Sequence, residues 1–308
     1  MRRKDLLDLQ SLSADEITYL LDTAQSFTEI VARPVKKVPT LRGKSVATLF
    51  FEPSTRTRTS FEAAAKIMSA DTYSLAASTS SATKGESLKD TMLTLDAMGI
   101  DAFVIRHPMS GAAHLAAQYV PGKPVINAGD GTHEHPTQGL LDLLTIRQAK
   151  GRIEGLTVAI VGDILHSRVA RSNLWGLHAL GAKVRLVGPP TLLPPEAEKL
   201  PVEVFTNLED GLRGADVVNI LRIQLERQDA AFFPSVREYA RLFGVSAAKL
   251  AVAAPDVTVL HPGPMNRGVE IASALADDDR ALITRQVTNG VAVRMAVLFW
   301  LMGATAQG

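Results

Sequence analysis

The sequence predicts an α/β protein of two domains, each a parallel sheet flanked by helices, with an active site in the cleft between them. Three observations carry this prediction. Short β-rich runs alternate with helical segments through the first half of the chain, and the alternation restarts after Gly155. Such alternation covers a parallel sheet with helices on both faces. The length, 308 residues, suits two domains at roughly 150 residues each. Gly151 follows Lys150 in the usual helix-ending position, so the domains are expected to join near residues 147–155.

The elements follow in order. Ser13 and Glu16 make a capping-box pattern ahead of Ile17, Leu20, Leu21 and Ala24, which recur at helical spacing. A basic, proline-punctuated linker runs over 33–44. Strands are expected at 45–51, 72–75, 101–105 and 123–127, with helices at 57–69, 86–98, 111–119 and 135–150. In the second half, strands are expected at 157–161, 183–187, 202–205, 216–220 and 257–260. Helices are expected there at 167–180, 208–213, 236–243 and 247–253. A last apolar helix, 287–302, is expected to pack back on the first domain. The domain boundaries read as 1–150, 151–286 and a returning segment 287–308.

Composition excludes several classes of function. Lys and Arg number 33 against 32 Asp and Glu, which gives no support to a general nucleic-acid or membrane-surface role. There is no cysteine, so disulfides, thiolate nucleophiles and Cys-ligated metals are ruled out. The N-terminus lacks an apolar signal core, and the apolar stretch 295–304 is about half of the ~20 residues a spanning helix needs. A cytoplasmic protein is expected.

Ligands of open α/β sheets bind beyond the carboxyl ends of the strands, so the residues after each strand matter most. After the strand at 45–51 comes Glu52-Pro53-Ser54-Thr55-Arg56-Thr57-Arg58. Proline stops the strand, and Ser54 or Thr55 is placed to cap a helix that buries Phe61, Ala64, Ala65 and Met68. Free N–H groups and the positive dipole end of that helix, joined by hydroxyls and two guanidiniums, make a phosphate site without a glycine-rich loop. Arg106 follows the strand at 101–105. His135 and Gln138, three apart, share a helical face after the turn 128–134. His133, Glu134 and His135 invite a metal reading, but their spacing is not the H-E-x-x-H of zinc enzymes, and no metal or organic cofactor is expected.

In the second half, Gly162–Arg168 lacks the G-x-G-x-x-G of dinucleotide-binding folds, which speaks against a nicotinamide dehydrogenase. Arg168 opens a helix there. Arg222, Gln224 and Arg227 follow the strand at 216–220, and His261-Pro262-Gly263-Pro264 follows the strand at 257–260. Two prolines fix an irregular backbone in that last segment, so its carbonyls can face a ligand.

Taken together, Phe51-Glu-Pro-Ser-Thr-Arg-Thr-Arg58, His135-Pro-Thr-Gln138 and His261-Pro-Gly-Pro264 resemble the aspartate/ornithine carbamoyltransferase family, over nearly the whole chain and in the family's motif order. Ser80-Ser-Ala-Thr-Lys84-Gly-Glu86 and Leu221-Arg-Ile-Gln224 are similar to the aspartate branch. The serine-methionine-glycine loop and late cysteine of the ornithine branch are missing. The charges agree, since Arg168, Arg222 and Lys84 suit two carboxylates and would repel an ornithine cation.

The resemblance implies carbamoyl transfer from carbamoyl phosphate to the α-amine of L-aspartate, a step of pyrimidine biosynthesis. It implies a carbamoyl phosphate-binding domain at 1–150 and an aspartate-binding domain at 151–286. Ser54, Thr55, Arg56 and Thr57 would hold the phosphate. Arg106 would reach phosphate and carbonyl, His135 the carbonyl, and Gln138 the carbamoyl nitrogen, which the carbonyls around Gly263 and Pro264 would also receive. Arg168, Arg222 and Gln224 would bind aspartate. Ser80 and Lys84 would enter the site of a neighbouring subunit, which implies a homotrimer with shared active sites. Arg56, Thr57, Lys84, Arg106 and His135 are the expected catalytic residues. Glu52 would pair with Arg168 and Arg227 as the domains close. Dihydroorotase or regulatory chains are possible partners by the same resemblance. The alternatives are ornithine or another amino acid as acceptor, and a non-catalytic homologue that binds phosphates or a partner. Arg267 has no expected role.

Overall fold

The computed structural model describes residues 3–76, 86–223 and 235–303. The chain divides into two compact units, Met1–Leu141 with Thr288–Gly308, and Asp142–Val287.

The first unit opens with α1 (Ala14–Ala32), whose capping box is present in full. Ser13 Oγ accepts the Glu16 N–H at 3.2 Å, and Glu16 Oε2 accepts the Ser13 N–H at 2.9 Å. Two otherwise orphaned donors are thereby satisfied, worth about 1 kcal/mol. Burial pushes the Glu16 carboxyl up, but hydrogen bonds from Arg3 and Ser13 outweigh it and hold the group below its usual range. Then come β1 (Ser45–Phe50), α2 (Thr55–Ile67), β2 (Asp71–Ala76), α3 (Leu88–Ala97), β3 (Ala102–His107), α4 (Ala112–Tyr119), β4 (Val125–Asp130) and α5 (Pro136–Lys150), whose residues from Asp142 onward count with the second unit. The four strands form one parallel sheet in the order β2-β1-β3-β4. Val46–Phe50 are buried without alternation, as expected of a strand covered on both faces. Ala47, Leu49, Met92, Phe103 and Ile105 centre this core. Phe61, on the buried face of α2, lies 5.0 Å below the Arg294 guanidinium.

The second unit holds β5 (Thr157–Val161), α6 (Arg168–Ala179), β6 (Lys183–Val187), β7 (Glu203–Phe205), α7 (Leu208–Leu212), β8 (Val217–Ile220), α8 (Val236–Phe243), β9 (Thr258–Leu260) and α9 (Ser273–Ala276). Its five strands are parallel, in the order β7-β6-β5-β8-β9. The core packs Val161, Val187, Val218, Ile220, Tyr239, Phe243 and Val259. α10 (Ile283–Met302) ends the chain's regular structure, and its residues from Thr288 onward count with the first unit.

The structure departs from the sequence expectations in a few places. β4 runs to Asp130, three residues past the expected end, because Asp130 pairs with His107 in the sheet and its side chain is buried and hydrogen-bonded. The helix expected at 247–253 is a 3-10 turn, Lys249–Val252. α10 begins at Ile283 rather than 287. No helix among the described residues is long and apolar enough to cross a membrane.

In each sheet the chain leaves a central strand in one direction and later returns to its other side. The switch falls between β1 and β3 in the first unit and between β5 and β8 in the second. Such switch points open a crevice beyond the strand ends, because the two connections diverge to opposite faces.

Candidate active site

The first switch point gathers the expected phosphate residues. Phe50 is in register with Arg106, and the Phe51 N–H donates to Arg106 O at 2.8 Å. β1 therefore delivers the turn 52–57 beside the end of β3. Ser54 stands at the N-cap position of α2 in an extended conformation (φ −162°), yet its side chain makes no capping hydrogen bond. The expected cap is thus corrected. The Ser54 hydroxyl is not committed to the helix start. Thr55 is the first helical residue. Thr55 and Arg56 are exposed, whereas Thr57 is buried in the first turn. Arg58 lies 3.9 Å from Glu62, one turn on, which makes it a half-exposed intrahelical pair.

Arg106 is held in place from two sides. Nη1 donates to Ala128 O at 3.3 Å and Nη2 to Glu52 Oε1 at 3.1 Å. Both side chains of this ion pair are largely buried. Glu52 thus bonds within its own unit to the guanidinium beside it.

His135 precedes the proline that opens α5, and its carbonyl accepts the N–H of Gln138 at 2.9 Å. His135 and Gln138 are both buried, at 4% and 9% exposure. The turn that presents them is built on Asp130 and Asn127, two residues that sequence reasoning passed over. Asp130 Oδ1 accepts from Asn127 Nδ2 at 2.7 Å and from the Glu134 N–H at 3.2 Å, and Oδ2 accepts from the Gly111 N–H at 2.7 Å. His133 Nδ1 lies 3.1 Å from the same carboxylate. Burial pushes the Asp130 carboxyl up, but the bonds from His133, Asn127 and Gly111 prevail and hold it below its usual range. The bond to Asp130 raises His133 against its own burial, with Glu134 and Asp8 adding to the effect. Gly131 has φ +48°, and a Cβ there would collide with Ser110, so only glycine fits. Alternation of small, polar and charged residues after a strand was the available signal for this turn, but it does not say which carboxylate is buried.

His114, Asp130 and His133 bring one ligand atom each within 4.8 Å of one another. The Asp130 oxygens already accept backbone and amide N–H groups, and His114 Nε2 lies 3.4 Å from Asp8. These bonds account for the cluster as an ion-pair network. Glu134 is likewise engaged, accepting the N–H groups of Leu9 and Gln10.

The second switch point carries two of the expected acceptor residues, Arg168 and Arg222. Ser167 caps α6 by accepting the Ala170 N–H at 3.1 Å, and Arg168 follows as the first helical residue, buried at 4% exposure. Just before it, His166 Nδ1 lies 2.9 Å from the buried Asp163. Val161 is in register with Ile220, so the segment holding Arg168 and the segment holding Arg222 leave adjacent strands. β9 neighbours β8 and leads to His261–Pro264. Gly263 has φ +61°, and its bond to Pro264 is cis. Burial pushes the Tyr239 hydroxyl well up, and the Glu270 and Asp163 carboxyls add to this. Arg267 forms a bidentate pair with Asp277, both bonds 2.8 Å, on the surface. Ser80, Lys84, Gln224 and Arg227 lie outside the described residues.

Each unit thus carries one half of the expected site at the mouth of its own switch point. The first offers hydroxyls, guanidiniums and a helix N-terminus, suited to a phosphate and a polarised carbonyl. The second offers buried and half-buried arginines beside an irregular backbone, suited to carboxylates and an amide.

The comparisons with known proteins agree with these halves. The description "Aspartate/ornithine carbamoyltransferase, carbamoyl-P binding domain" matches residues 4–148, and "Aspartate/ornithine carbamoyltransferase, Asp/Orn binding domain" matches residues 154–301. The aspartate carbamoyltransferase catalytic subunit of Heliobacterium modesticaldum is 62% identical over 307 residues, covering 100% of this chain and 98% of that one. Among solved structures, the aspartate transcarbamoylase of Trypanosoma cruzi with N-(phosphonacetyl)-L-aspartic acid is similar with a TM-score of 0.89 and 33% identity, covering 98% and 97% of the two chains. The ornithine carbamoyltransferase of Pyrococcus furiosus has a TM-score of 0.88 and 30% identity, covering 98% of each chain. With both domain descriptions matched in order and relatives alike over their full length, the chain belongs to the aspartate/ornithine carbamoyltransferase family.

Proposed function

We propose that the chain is an aspartate carbamoyltransferase, which transfers the carbamoyl group of carbamoyl phosphate to the α-amine of L-aspartate, giving N-carbamoyl-L-aspartate and phosphate for pyrimidine biosynthesis. The observation that carries this reading is the gathering of the Ser54–Thr57 turn, Arg106 and His135 at the ends of the adjacent strands β1, β3 and β4. The ornithine enzyme shares the fold almost equally well, so the acceptor is chosen by charge. Arg168 and Arg222, with Lys84 and Gln224, favour a dicarboxylate over a cation.

In this reading Ser54, Thr55, Arg56 and Thr57 take the phosphate, with the α2 dipole behind them. Arg106, His135 and Thr57 face the carbonyl oxygen. Gln138 and the carbonyls around Gly263 and Pro264 take the carbamoyl NH2 group. The aspartate nitrogen attacks the carbamoyl carbon, an oxyanion forms, and the bond to phosphate breaks. The departing phosphate accepts the amine proton. No side chain forms a covalent bond, so catalysis rests on orientation and on charge stabilisation. The amine must be neutral to attack. Cations around the aspartate favour that form.

Ser80 and Lys84 are assigned to the site of a neighbouring subunit, which makes a homotrimer part of the mechanism. Mixing Lys84→Gln subunits with Arg56→Ala subunits is expected to restore activity through hybrid trimers. Hybrids shown by mass spectrometry to be mixed, and yet inactive, would contradict the shared site. A colorimetric ureido assay with carbamoyl phosphate and either aspartate or ornithine tests the reaction itself. Product with aspartate alone is expected. Product with ornithine, or with neither, would overturn the reading.

A further inference from the structure

We propose that Glu270 and Asn266 are positioning residues, which hold the Gly263–Pro264 backbone and the strand exit carrying Arg222 in the register that the transfer needs. The inference rests on the functional reading above and deepens it. Neither residue belongs to the motifs that mark the site.

His261 directly follows β9. Its side chain and that of Glu270 are fully buried. The Gly263 N–H donates to His261 Nδ1 at 2.8 Å, so Nδ1 is the unprotonated nitrogen. Nε2 therefore carries the hydrogen, and it donates to Glu270 Oε1 at 3.2 Å. The same Oε1 accepts the Asn266 N–H at 2.6 Å. One carboxyl oxygen thus ties the loop at both ends, before Pro262 and after Pro264.

The loop is also tied outward. Asn266 Nδ2 donates to the carbonyl of Ile223 at 3.0 Å, and Ile223 directly follows Arg222. The His261 N–H donates to Gln286 Oε1 at 3.0 Å, and Gln286 Nε2 donates to the buried Asp142 at 2.7 Å. The loop that would receive the carbamoyl amide and the segment that would hold aspartate are therefore joined by one side chain, Asn266.

Two physical points favour positioning over mere stability. Carbonyl acceptors have no side chain with which to adjust, so their place is set entirely by the backbone around them. Misplacement by about 1 Å can slow a reaction on the order of 10²-fold. Second, Glu270 Oε2 is buried with no hydrogen-bond partner among the described residues. A buried polar atom left so is a cost that an apolar residue would avoid, and it calls for an explanation.

The test is steady-state kinetics of the full-length enzyme with carbamoyl phosphate and aspartate, with calorimetry and circular dichroism on each variant. Glu270→Gln keeps an acceptor oxygen for His261 and Asn266 and is expected within about threefold of wild-type kcat. Glu270→Leu removes the acceptor and is expected to lower kcat by about 30-fold or more while the protein stays folded, in line with the cost of misplacement. Asn266→Ala keeps its backbone bond to Glu270 but frees Ile223, and is expected to raise the aspartate KM about tenfold with little change for carbamoyl phosphate, the scale of one positioning hydrogen bond. A Leu variant with wild-type kcat, or a Gln variant as defective as Leu, would overturn the inference. Should Glu270→Leu fail to fold, Asn266→Ala decides, and an unchanged aspartate KM sinks the proposal. Wild-type enzyme inactive with aspartate would overturn the functional reading itself, whereas losses confined to the variants speak to positioning alone.

Discussion

The two switch points solve the same problem with different materials. In the first unit the proposed site consists of side chains set directly on a strand end or a helix start: Thr57 and Arg56 on α2, Arg106 on β3, and His135 before α5. In the second, the residues proposed to face the carbamoyl amide are backbone carbonyls, held through a hydrogen-bonded chain from half-buried Asn266 to the buried Glu270, His261, Gln286 and Asp142. A phosphate carries charge and rewards guanidiniums and hydroxyls at a dipole end. A neutral amide rewards well-placed acceptors, which the backbone supplies only when something else fixes it. The first half should therefore fail when single charged or donor side chains are removed, and the second when their supports are removed.

The largest effects are expected in the first unit. Arg56→Ala, at the leaving phosphate, and His135→Ala, at the carbonyl oxygen, should each lower kcat on the order of 10²–10³, the usual scale for one donor to charge that develops in the transition state. Near-normal turnover in both variants would break the comparison at its root. Arg222→Ala should act chiefly on the acceptor, raising the aspartate KM about 10- to 100-fold, the equivalent of one charged hydrogen bond. An equal rise in the carbamoyl phosphate KM would show that the division of labour between the units is wrong.

Smaller effects probe the scaffold of the first unit. Ser13→Ala removes one half of the α1 capping box and should cost about 1 kcal/mol, a few degrees in Tm by calorimetry, with kcat unchanged. The Asp130–His133 bond predicts a pH dependence. His133 is raised above its ordinary 6.5, so its contribution is complete below that pH and is lost as pH rises through the folded value. Asp130 is lowered from 3.8, so its contribution is present above that pH and is lost as pH falls through the folded value. Urea midpoints between pH 6.5 and 8.5 should fall less in His133→Gln than in the wild type. Parallel curves would remove the pair from the account of the His135 turn.

Much of the fold was legible because the period of the pattern was clean. β5 and β6 match their expected ranges, and most helices differ by one or two residues at the ends. The phosphate turn was legible for a local reason: five polar residues in sequence also adjoin in space when they open a helix. β4 was expected to stop before Ala128-Gly129-Asp130 because small and charged residues there look like a loop. Sheet pairing with His107 and the bonds to Asp130 override that propensity. The helix expected at 247–253 has the apolar composition of a helix but folds as a 3-10 turn.

The sequence by itself determined the α/β class, the parallel strands and the chemical character of each strand end. These depend on periodicity and on residues adjacent in the chain. Only the tertiary structure decided which strand ends stand side by side, that Ser54 leaves its hydroxyl uncommitted to the cap, and that Glu52 bonds Arg106. It also decided that a glutamate six residues beyond the Pro-Gly-Pro segment closes that loop. Strand order and buried hydrogen bonds join residues far apart in the chain, and no local pattern records which partner a buried oxygen will find.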